Sequence, residues 1–355
     1  MKIGILTFHR ACNYGAVLQC FALQEVLKRM GYEVKVIDYA QETIDKGYKV
    51  VQWRRLFSYL YHLNLRTAAW YIKNIPLALK KRLLFKRFVN KYLDTTKECH
   101  VNNIPLDFDV YIIGSDQLWN TKLTAGLDPV YTGLFERKSN TRLFTYAVST
   151  NVEAVENVPS DKWKNCLDSF DIISVREPQV ADLLRKKTTY DIRVDSDPTL
   201  ITNADIWEPL INEKYKNKHY VLLYEIWGRS KHQGKSLYVH AKKLAESLNI
   251  ELLDLSDYKS EVDDFVSAFK YAEVVITSSF HGTAFAIIFQ RPFYVYKLND
   301  SMDGRYVDLM NYLKADNQVK DLDFLPSVKP VIDFNSLSAL LNKRKNESLL
   351  YLSSI

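Results

Sequence analysis

Apolar and polar positions along the chain alternate between short β-branched runs and longer segments with helical spacing. The short runs predict buried strands at residues 2–7, 33–38, 110–113, 143–148, 172–175 and 192–194. Apolar positions three and four residues apart predict helices between several of them, at residues 16–30, 160–170 and 178–187. Strands that alternate with helices are typically joined by crossovers into a parallel sheet. The first half of the chain therefore predicts an α/β domain.

The same alternation restarts after a polar stretch that follows Pro198, which we interpret as a loose linker. Strands are predicted at residues 220–226, 251–255, 274–276 and 292–296. Helices are predicted at residues 234–248, 262–271, 305–313 and 335–350. We therefore expect two α/β domains, residues 1–200 and 201–355, that face each other across a cleft. In such folds ligands bind at the carboxyl ends of the strands.

One such strand end lies within residues 274–296, which read VVITSSFHGTAFAIIFQRPFYVY. The pattern is a strand, a polar turn and a helix, with the turn formed by Ser278, Ser279, His281, Gly282 and Thr283. The free N–H groups at a helix start favour an anion, and a histidine there can hold the anion and exchange a proton with it. The alternative is that His281 is a buried turn residue with a satisfied hydrogen bond.

Polar and charged side chains also follow other predicted strands. They are Asn13, Tyr14 and Gly15; Ser115, Asp116 and Gln117; Arg176; and Arg305. Two arginines, a histidine and a helix start predict a site for a small, doubly anionic ligand, because the guanidinium fork binds carboxylate and phosphate with two hydrogen bonds. Structural roles compete with this interpretation: Arg176 can pair with Glu177, residues 114–116 can cap a helix, and Arg305 can lie at the domain interface.

Composition excludes several classes of protein. Hydrophobic residues make up 47% and charged residues 25% of 355, as in ordinary globular proteins. Cys12, Cys20, Cys99 and Cys166 show no metal-binding spacing, so reduced thiols in the cytoplasm are expected. The acidic triplet at residues 195–197 is a short pattern that is common by chance. We expect no metal and no cofactor. The apolar run at the N-terminus is too short for a signal peptide, and no stretch is long enough to span a membrane.

The basic charge is concentrated between residues 51 and 93. This segment contains ten Lys or Arg residues and no Asp or Glu, so it carries +10 within a chain whose net charge is +6. Its pattern is helical, broken at Pro76, and rich in aromatic residues. One interpretation is an amphipathic helical insertion packed on the sheet. The other is a surface for an anionic membrane or lipid phosphate. Nucleic acid is not expected, because no nucleic-acid-binding module accompanies the segment.

Several motifs occur in an order that resembles the polysaccharide pyruvyl transferase family. They are NYGAVLQCFALQEVLKRMGYEVKVIDY, DVYIIGSDQLWN, FTYAVST, FDIISVREP, DSDPTL, YAEVVITSSFHGTAFAIIFQRPFYVY and DGRYVDLMNYL. The resemblance runs to about Leu313 and leaves mainly the basic insertion and the C-terminal tail outside it.

This resemblance implies a glycosyltransferase-B-like pair of Rossmann-like domains. It also implies transfer of a pyruvyl group from phosphoenolpyruvate, as donor substrate, to hydroxyls of a nucleotide-linked or lipid-linked sugar in surface polysaccharide biosynthesis. His281 matches the family's motif histidine, proposed to act in proton transfer, and Arg176 matches the arginine of the ISVRE motif, a candidate for phosphoenolpyruvate binding. From the chemistry, we take His281 as the general acid and Asp116 as the base that accepts the hydroxyl proton.

One position departs from the family. Better-characterised relatives have Arg-Leu-His where this chain has Ser279-Phe280-His281, and Arg305 or Arg291 is then the replacement for the missing arginine. Two other functions remain open at this stage. One is a glycosyltransferase-B-type enzyme that uses a nucleotide-sugar donor. The other is a non-enzymatic, membrane-associated protein of envelope assembly. The sequence leaves the sugar and the oligomeric state undetermined.

Overall fold

A six-stranded parallel sheet forms the centre of the first half of the chain. The computed structural model describes residues 1–49, 57–58, 61–62, 64–226, 236–257, 259–300 and 302–355. The strands, which lie in the order β2-β1-β3-β4-β5-β6, are β1 (Lys2–Leu6), β2 (Glu33–Val36), β3 (Val110–Asp116), β4 (Arg142–Val148), β5 (Ile173–Val175) and β6 (Ile192–Val194). The helices are α1 (Tyr14–Arg29), α2 (Glu42–Gly47), α3 (Leu65–Lys73), α4 (Ile75–Tyr92), α5 (Thr121–Thr124), α6 (Val152–Asn157), α7 (Ser160–Leu167) and α8 (Pro178–Lys187).

A second parallel sheet forms the other half, in the order β11-β10-β9-β7-β8. Its strands are β7 (Tyr220–Tyr224), β8 (Glu251–Asp254), β9 (Val274–Thr277), β10 (Phe293–Tyr296) and β11 (Val319–Lys320). Its helices are α9 (Tyr238–Leu248), α10 (Val262–Tyr271), α11 (Phe280–Ile288), α12 (Gly304–Tyr312) and α13 (Phe334–Ser353). The predicted pair of Rossmann-like α/β halves is thereby confirmed. Residues 234–235 of the helix predicted from residue 234 lie outside the described residues.

The first helix begins earlier than its apolar spacing indicates. Asn13 is the N-cap of α1, and its side-chain oxygen accepts a hydrogen bond from the N–H of Ala16 at 3.3 Å. The helix ends at Arg29, and Gly31 follows the C-cap residue Met30 with a φ of +89°, which is accessible to glycine without strain. Tyr14 and Gly15 therefore lie in the first turn of α1 rather than in the preceding loop.

The basic insertion forms α3 and α4. The break between them falls at Asn74, and Pro76 occupies the first turn of α4, where its missing N–H costs no hydrogen bond. Leu84, Phe85 and Phe88 bury one face of α4. Trp53, Arg54 and Arg55 lie outside the described residues. Among the residues that are described, no helix has the length and apolar character needed to cross a bilayer.

The two halves share buried contacts. Tyr14 of α1 stacks on Phe265 of α10 with ring centroids 4.3 Å apart, and its hydroxyl donates to the carbonyl of Ser260 at 2.8 Å. The terminal helix α13 returns to the first half, where the hydroxyl of Tyr351 donates to the carbonyl of Thr145 at 2.7 Å. These contacts hold the carboxyl edges of the two sheets around a common cleft.

The polar stretch after Pro198 is packed rather than loose. It forms three consecutive 3₁₀ turns in the described structure, Pro198–Ile201, Ala204–Leu210 and Glu213–Tyr215. Trp207 in the second turn is fully buried, with its ring centroid 4.8 Å from that of Phe285. The sequence did not predict this packing. The segment is mostly polar, and its few large apolar side chains are spaced irregularly, so they produce neither a helical nor a strand period.

Candidate active site

His281 lies in the first turn of α11, at the carboxyl end of β9. Ser279 is the N-cap, and its hydroxyl accepts a hydrogen bond from the N–H of Gly282 at 3.4 Å. The helix therefore begins at Phe280, four residues before its apolar run, because the cap satisfies one of the free N–H groups of the first turn. The positive end of the helix dipole lies beside His281 and favours an anionic ligand there.

Two glycines permit the close packing around this histidine. A Cβ atom at Gly15 would stand 2.0 Å from Nδ1 of His281, so the first turn of α1 lies directly against the imidazole. A Cβ atom at Gly282 would stand 2.2 Å from Oγ1 of Thr277. That hydroxyl is fixed, since it donates to the carbonyl of Tyr224 at 2.7 Å and accepts from the N–H of Ser279 at 3.1 Å. Neither position has room for a side chain.

Asp197 joins the histidine to a buried arginine. One oxygen of its fully buried carboxylate accepts a hydrogen bond from Nη1 of Arg176 at 2.6 Å and lies 3.6 Å from Nε2 of His281. The other accepts from the N–H and the hydroxyl of Thr199, at 2.9 Å and 2.7 Å. Burial alone would raise the pKa of Asp197, but His281 and Arg176 outweigh it and hold that pKa well below its usual range.

Arg176 lies behind the cavity rather than along it. Its Nε donates to Glu177 at 3.1 Å, and its guanidinium lies 4.7 Å from the centroid of the Phe280 ring. Its Nη2 atom and Nε2 of His281 are buried and have no hydrogen-bond partner among the described residues. Unsatisfied buried donors are costly, so Nη2 of Arg176 is a position where a ligand oxygen or a water gains a strong contact, whereas Nε2 of His281 faces the Asp197 carboxylate.

A cavity of about 180 Å³ opens beside His281, between the two halves. We call it the site cavity. Among the residues that line it are Asn13, Asp116, Gln117, Ser279, His281 and Arg305. The strands that carry them belong to different sheets, and parallel strands bring their carboxyl ends to one edge. Arg305 lies in the first turn of α12 and lines the cavity from the second half of the chain. Arg291 precedes β10, at the opposite edge of the sheet.

Asp116 has an unusual backbone conformation. Its φ is +80°, in the left-handed region that non-glycine residues rarely adopt. The conformation is held by its carboxylate, which accepts from the N–H of Gln117 at 2.9 Å, and by its carbonyl, which accepts from the N–H of Ser149 at 2.8 Å. The charge of Asp116 also acts on Arg176. An acidic group is thereby held at the wall of the site cavity.

Other residues predicted for the site lie in the surrounding structure. The hydroxyl of Ser115 donates to the carbonyl of Ala147 at 2.5 Å within the first sheet. The hydroxyl of Thr283 donates to the carbonyl of Ser279 at 3.0 Å. Ser278 is fully buried at the end of β9, and Tyr14 spans the contact between the halves. None of these four is among the residues that line the site cavity.

The sequence did not identify Asp197 or Glu177 as site residues, and Glu177 was expected only as a surface partner of Arg176. Glu177 is buried, and it accepts hydrogen bonds from Arg176 and, at 2.6 Å, from the hydroxyl of Ser149. Asp197 follows β6, so the rule that directed attention to the ends of strands also applied to it. Its neighbour Asp195 accepts a hydrogen bond from the hydroxyl of Ser174 at 2.7 Å. In the part of the chain that the structure describes, no group of three or more His, Cys, Asp or Glu side chains is placed to hold a metal.

Two Rossmann-like halves with a polar site in the cleft between them define a glycosyltransferase-B-like protein. The sequence profile of the polysaccharide pyruvyl transferase family matches residues 13–300. The chain therefore belongs to the polysaccharide pyruvyl transferase family. No curated protein sequence matches it significantly.

Solved structures of several sugar-related enzymes are similar in outline. The UDP-GlcNAc 2-epimerase of Methanocaldococcus jannaschii, in complex with UDP-GlcNAc and UDP, is 11% identical and covers 98% of this chain and 94% of its own, with a TM-score of 0.45. The UDP-GlcNAc 2-epimerase of Neisseria meningitidis is 10% identical over 100% and 94% of the two chains, with a TM-score of 0.43. A Streptomyces sp. SF2575 glycosyltransferase is 12% identical over 100% and 95%, with a TM-score of 0.37.

Proposed function

We propose that this protein transfers a pyruvyl group from phosphoenolpyruvate to two hydroxyls of a sugar, forming a cyclic ketal in surface polysaccharide biosynthesis. The observation that supports this most directly is the placement of His281. It lies beside a cavity that also contains a helix start, an arginine and a carboxylate, in a chain whose family performs this class of reaction. No cofactor is part of the proposal, because phosphoenolpyruvate enters as a substrate.

Phosphoenolpyruvate carries a carboxylate and a phosphate. For each of these anions the site offers a cationic side chain or backbone N–H groups. Arg305 lines the cavity and supplies a guanidinium fork. The first turn of α11, from Phe280, supplies backbone N–H groups and the positive end of its dipole. Nη2 of Arg176 is a further buried donor. In this proposal Arg305 takes the place of the arginine that Ser279 replaces in this chain.

The reaction has two stages. In the first, His281 gives a proton to the methylene carbon of phosphoenolpyruvate, which becomes a methyl group and leaves an oxocarbenium-like carbon beside it. A sugar hydroxyl then forms a C–O bond to that carbon, and Asp116 accepts the hydroxyl proton. In the second, another hydroxyl of the same sugar attacks the same carbon and gives its proton back to His281. The bond from that carbon to the phosphate oxygen breaks, and inorganic phosphate leaves with the proton that Asp116 had accepted.

Asp197 positions the acid for the first stage. Its carboxylate faces Nε2 of His281, which leaves Nδ1 on the side of Gly15. A carboxylate next to one ring nitrogen fixes the tautomer and stabilises the imidazolium, as in other histidine–carboxylate pairs. The distance of 3.6 Å is longer than a hydrogen bond, and we expect it to shorten when the substrate fills the cavity.

The test is product analysis with the full chain. We expect phosphate release and a product heavier by one pyruvyl ketal when phosphoenolpyruvate and nucleotide-linked or lipid-linked sugars are supplied. His281→Ala should abolish both signals. His219→Ala, which removes an exposed histidine, serves as the matched control and should leave them unchanged. Transfer of a sugar instead of a pyruvyl group would establish the glycosyltransferase alternative, and an unchanged rate in His281→Ala would refute the assigned acid.

We also propose that the insertion holds the enzyme at an anionic membrane, on the inner face of the cell membrane. α3 and α4 present exposed apolar side chains next to their basic ones. They are Leu65, Trp70, Ile72, Leu79 and Leu83. Exposed apolar side chains on a basic helix are typical of segments that bind lipid headgroups.

A further inference from the structure

A second cavity, of about 230 Å³, lies next to the site cavity. The wall between them is the loop that joins β1 to α1, because its side chains divide between the two. Those on the site cavity are Phe8, Ala11 and Asn13. Those on the second cavity are His9, Arg10 and Cys12. Tyr48 lines both cavities. A ligand in the second cavity is therefore separated from the site by the thickness of one loop.

One wall of the second cavity is a rigid group of carboxylates around Arg10. The guanidinium donates to Asp38 at 2.7 Å, to both oxygens of Asp45 at 3.0 Å, and to Glu98 at 3.0 Å. Nε2 of His9 lies 2.9 Å from the same oxygen of Asp38. Three carboxylates around one guanidinium leave this wall negative, and their remaining lone pairs accept hydrogen bonds from hydroxyl groups.

The opposite wall is basic and comes from α4. Arg82 and Lys86 line the cavity one helical turn apart. Neither forms an ion pair or hydrogen bond with any residue that the structure describes, whereas Arg87 on the same helix pairs with Glu261. Two unpaired cations at one helical spacing suit a phosphate or diphosphate, which spreads its charge over several oxygens.

We propose that the second cavity binds the phosphate-bearing end of the acceptor, so that its sugar reaches past Tyr48 to His281. Phosphate oxygens contact Arg82 and Lys86, and hydroxyls next to the phosphate contact the carboxylates around Arg10. The acceptor is then a sugar diphosphate, whether its diphosphate is linked to a nucleoside or to a lipid. This inference rests on the proposed pyruvyl transfer for the identity of the sugar, and on the cavity alone for the binding of phosphate.

The loop between the two cavities separates the two kinds of anion that the reaction uses. Phosphoenolpyruvate meets Arg305 and α11 in the site cavity, whereas the acceptor phosphate meets α4 on the other side of the loop. A free sugar lacks the second set of contacts. It should therefore show a Michaelis constant higher than that of the diphosphate by tenfold or more, about the effect of losing a single charge-assisted contact.

The experiment measures pyrophosphate binding to the full chain by calorimetry. We expect Arg82→Ala/Lys86→Ala to weaken this binding by about tenfold or more. The matched control, Lys162→Ala/Lys164→Ala, removes the same charge from exposed positions on α7 and should leave it unchanged. The titration is repeated with phosphoenolpyruvate present, because pyrophosphate bound in the site cavity would be displaced by it whereas pyrophosphate in the second cavity would not. Unchanged binding in the double variant would place pyrophosphate outside the second cavity and overturn the inference.

Failure of this inference and failure of the proposed function give different results. If pyrophosphate binding depends on Arg82 and Lys86 but no pyruvyl product forms, the cavity is a phosphate site and the proposed reaction is wrong. If pyruvyl product forms and Arg82→Ala/Lys86→Ala leaves the Michaelis constant of every acceptor unchanged, the inference is wrong and the reaction stands. A nucleotide-linked sugar, a short-chain prenyl-diphosphate sugar and the free sugar are the three acceptors to compare, and the first two distinguish the source of the diphosphate.

Discussion

The Cα atom of Gly15 and the imidazole of His281 are in contact across the cleft, although the two residues belong to different halves of the molecule. A Cβ atom at Gly15 would stand 2.0 Å from Nδ1, 2.5 Å from Cγ and 2.6 Å from Cε1 of His281. The Nδ1 side of the ring therefore lies against the first turn of α1. Any motion that separates the halves also removes this support from the histidine.

Gly15→Ala should lower the rate of pyruvyl transfer by about a hundredfold, because a displacement of the acid by about 1 Å has that order of effect. Overpacking of the buried site should also cost about 1–3 kcal/mol in the free energy of unfolding. Steady-state kinetics and urea unfolding measure the two effects. Gly47→Ala is the control, since a Cβ there meets no atom within 4 Å and alanine is favoured in a helix. Equal activity in both variants would show that the contact is unimportant.

Asp197→Asn should lower both activity and stability. The variant leaves the buried guanidinium of Arg176 with one charged partner fewer, which costs about 3 kcal/mol when a buried pair is broken. It also removes the charge that faces Nε2 of His281, so the rate of transfer should fall by at least about a hundredfold. Asp161→Asn, an exposed change on α7, should alter neither property.

The stability effect of Asp197→Asn should depend on pH. The pKa of Asp197 is lower in the folded protein than its unfolded value of about 3.9, so the carboxylate form stabilises the fold. That contribution is complete well above pH 4 and is lost as the pH falls toward the folded-state pKa. The difference in unfolding free energy between wild type and variant should therefore be largest near pH 7 and shrink below about pH 4. A difference independent of pH would exclude charge as its cause.

The sequence predicted that His281, Asp116 and Arg305 lie at the edge where the strands end, because parallel topology alone brings those ends together, and all three line the site cavity. It could not locate the contact between Gly15 and His281. That contact depends on how the two halves are oriented, and no local pattern encodes the orientation. The sequence places Asp197 near the end of β6, but an acidic triplet next to a proline can have many structural roles. Its role could not be assigned without knowing which residues contact it in the folded protein.

The first residues of two helices were also not predicted from the apolar pattern of the sequence. The apolar spacing of α1 and α11 begins after the first residues of each helix, so the sequence placed Gly15 and His281 in loops. The caps Asn13 and Ser279 extend α1 by two residues and α11 by four residues toward the cleft. Two helix dipoles therefore point at the site, an electrostatic feature that is absent from the apolar pattern. Capping residues followed by small residues are the signal that identifies such early starts.

Arg305→Lys should raise the Michaelis constant for phosphoenolpyruvate by about tenfold and change the turnover number less. The substitution keeps the positive charge but replaces a fork with a point charge, which loses one of two hydrogen bonds to the ligand anion. Arg291→Lys is the matched control, because that residue lies at the opposite edge of the second sheet. If Arg291→Lys raised the Michaelis constant instead, the assignment of Arg305 as the donor-binding arginine would be incorrect.

Binding of the full chain to vesicles tests the role of the insertion. Lys73 and Lys80 are exposed on α3 and α4, close in sequence to the exposed apolar side chains of Trp70 and Leu79. A Lys or Arg near an anionic bilayer contributes about 1 kcal/mol, so Lys73→Glu/Lys80→Glu should weaken binding to phosphatidylglycerol vesicles by about thirtyfold or more. Trp70→Ala should weaken it further by removing buried apolar area.

Two controls distinguish binding through the insertion from attraction by net charge alone: the dependence on salt, and a matched charge reversal elsewhere on the protein. Wild-type binding should decrease as the ionic strength rises, because the Debye length falls to about 10 Å at 0.1 M salt. Lys162→Glu/Lys164→Glu makes the same change in net charge on α7, away from the insertion, and should leave sedimentation with vesicles unchanged. If both charge reversals weakened binding equally, the attraction would reflect net charge. If wild type did not bind at all, α3 and α4 would be a helical insertion whose exposed apolar side chains have another role.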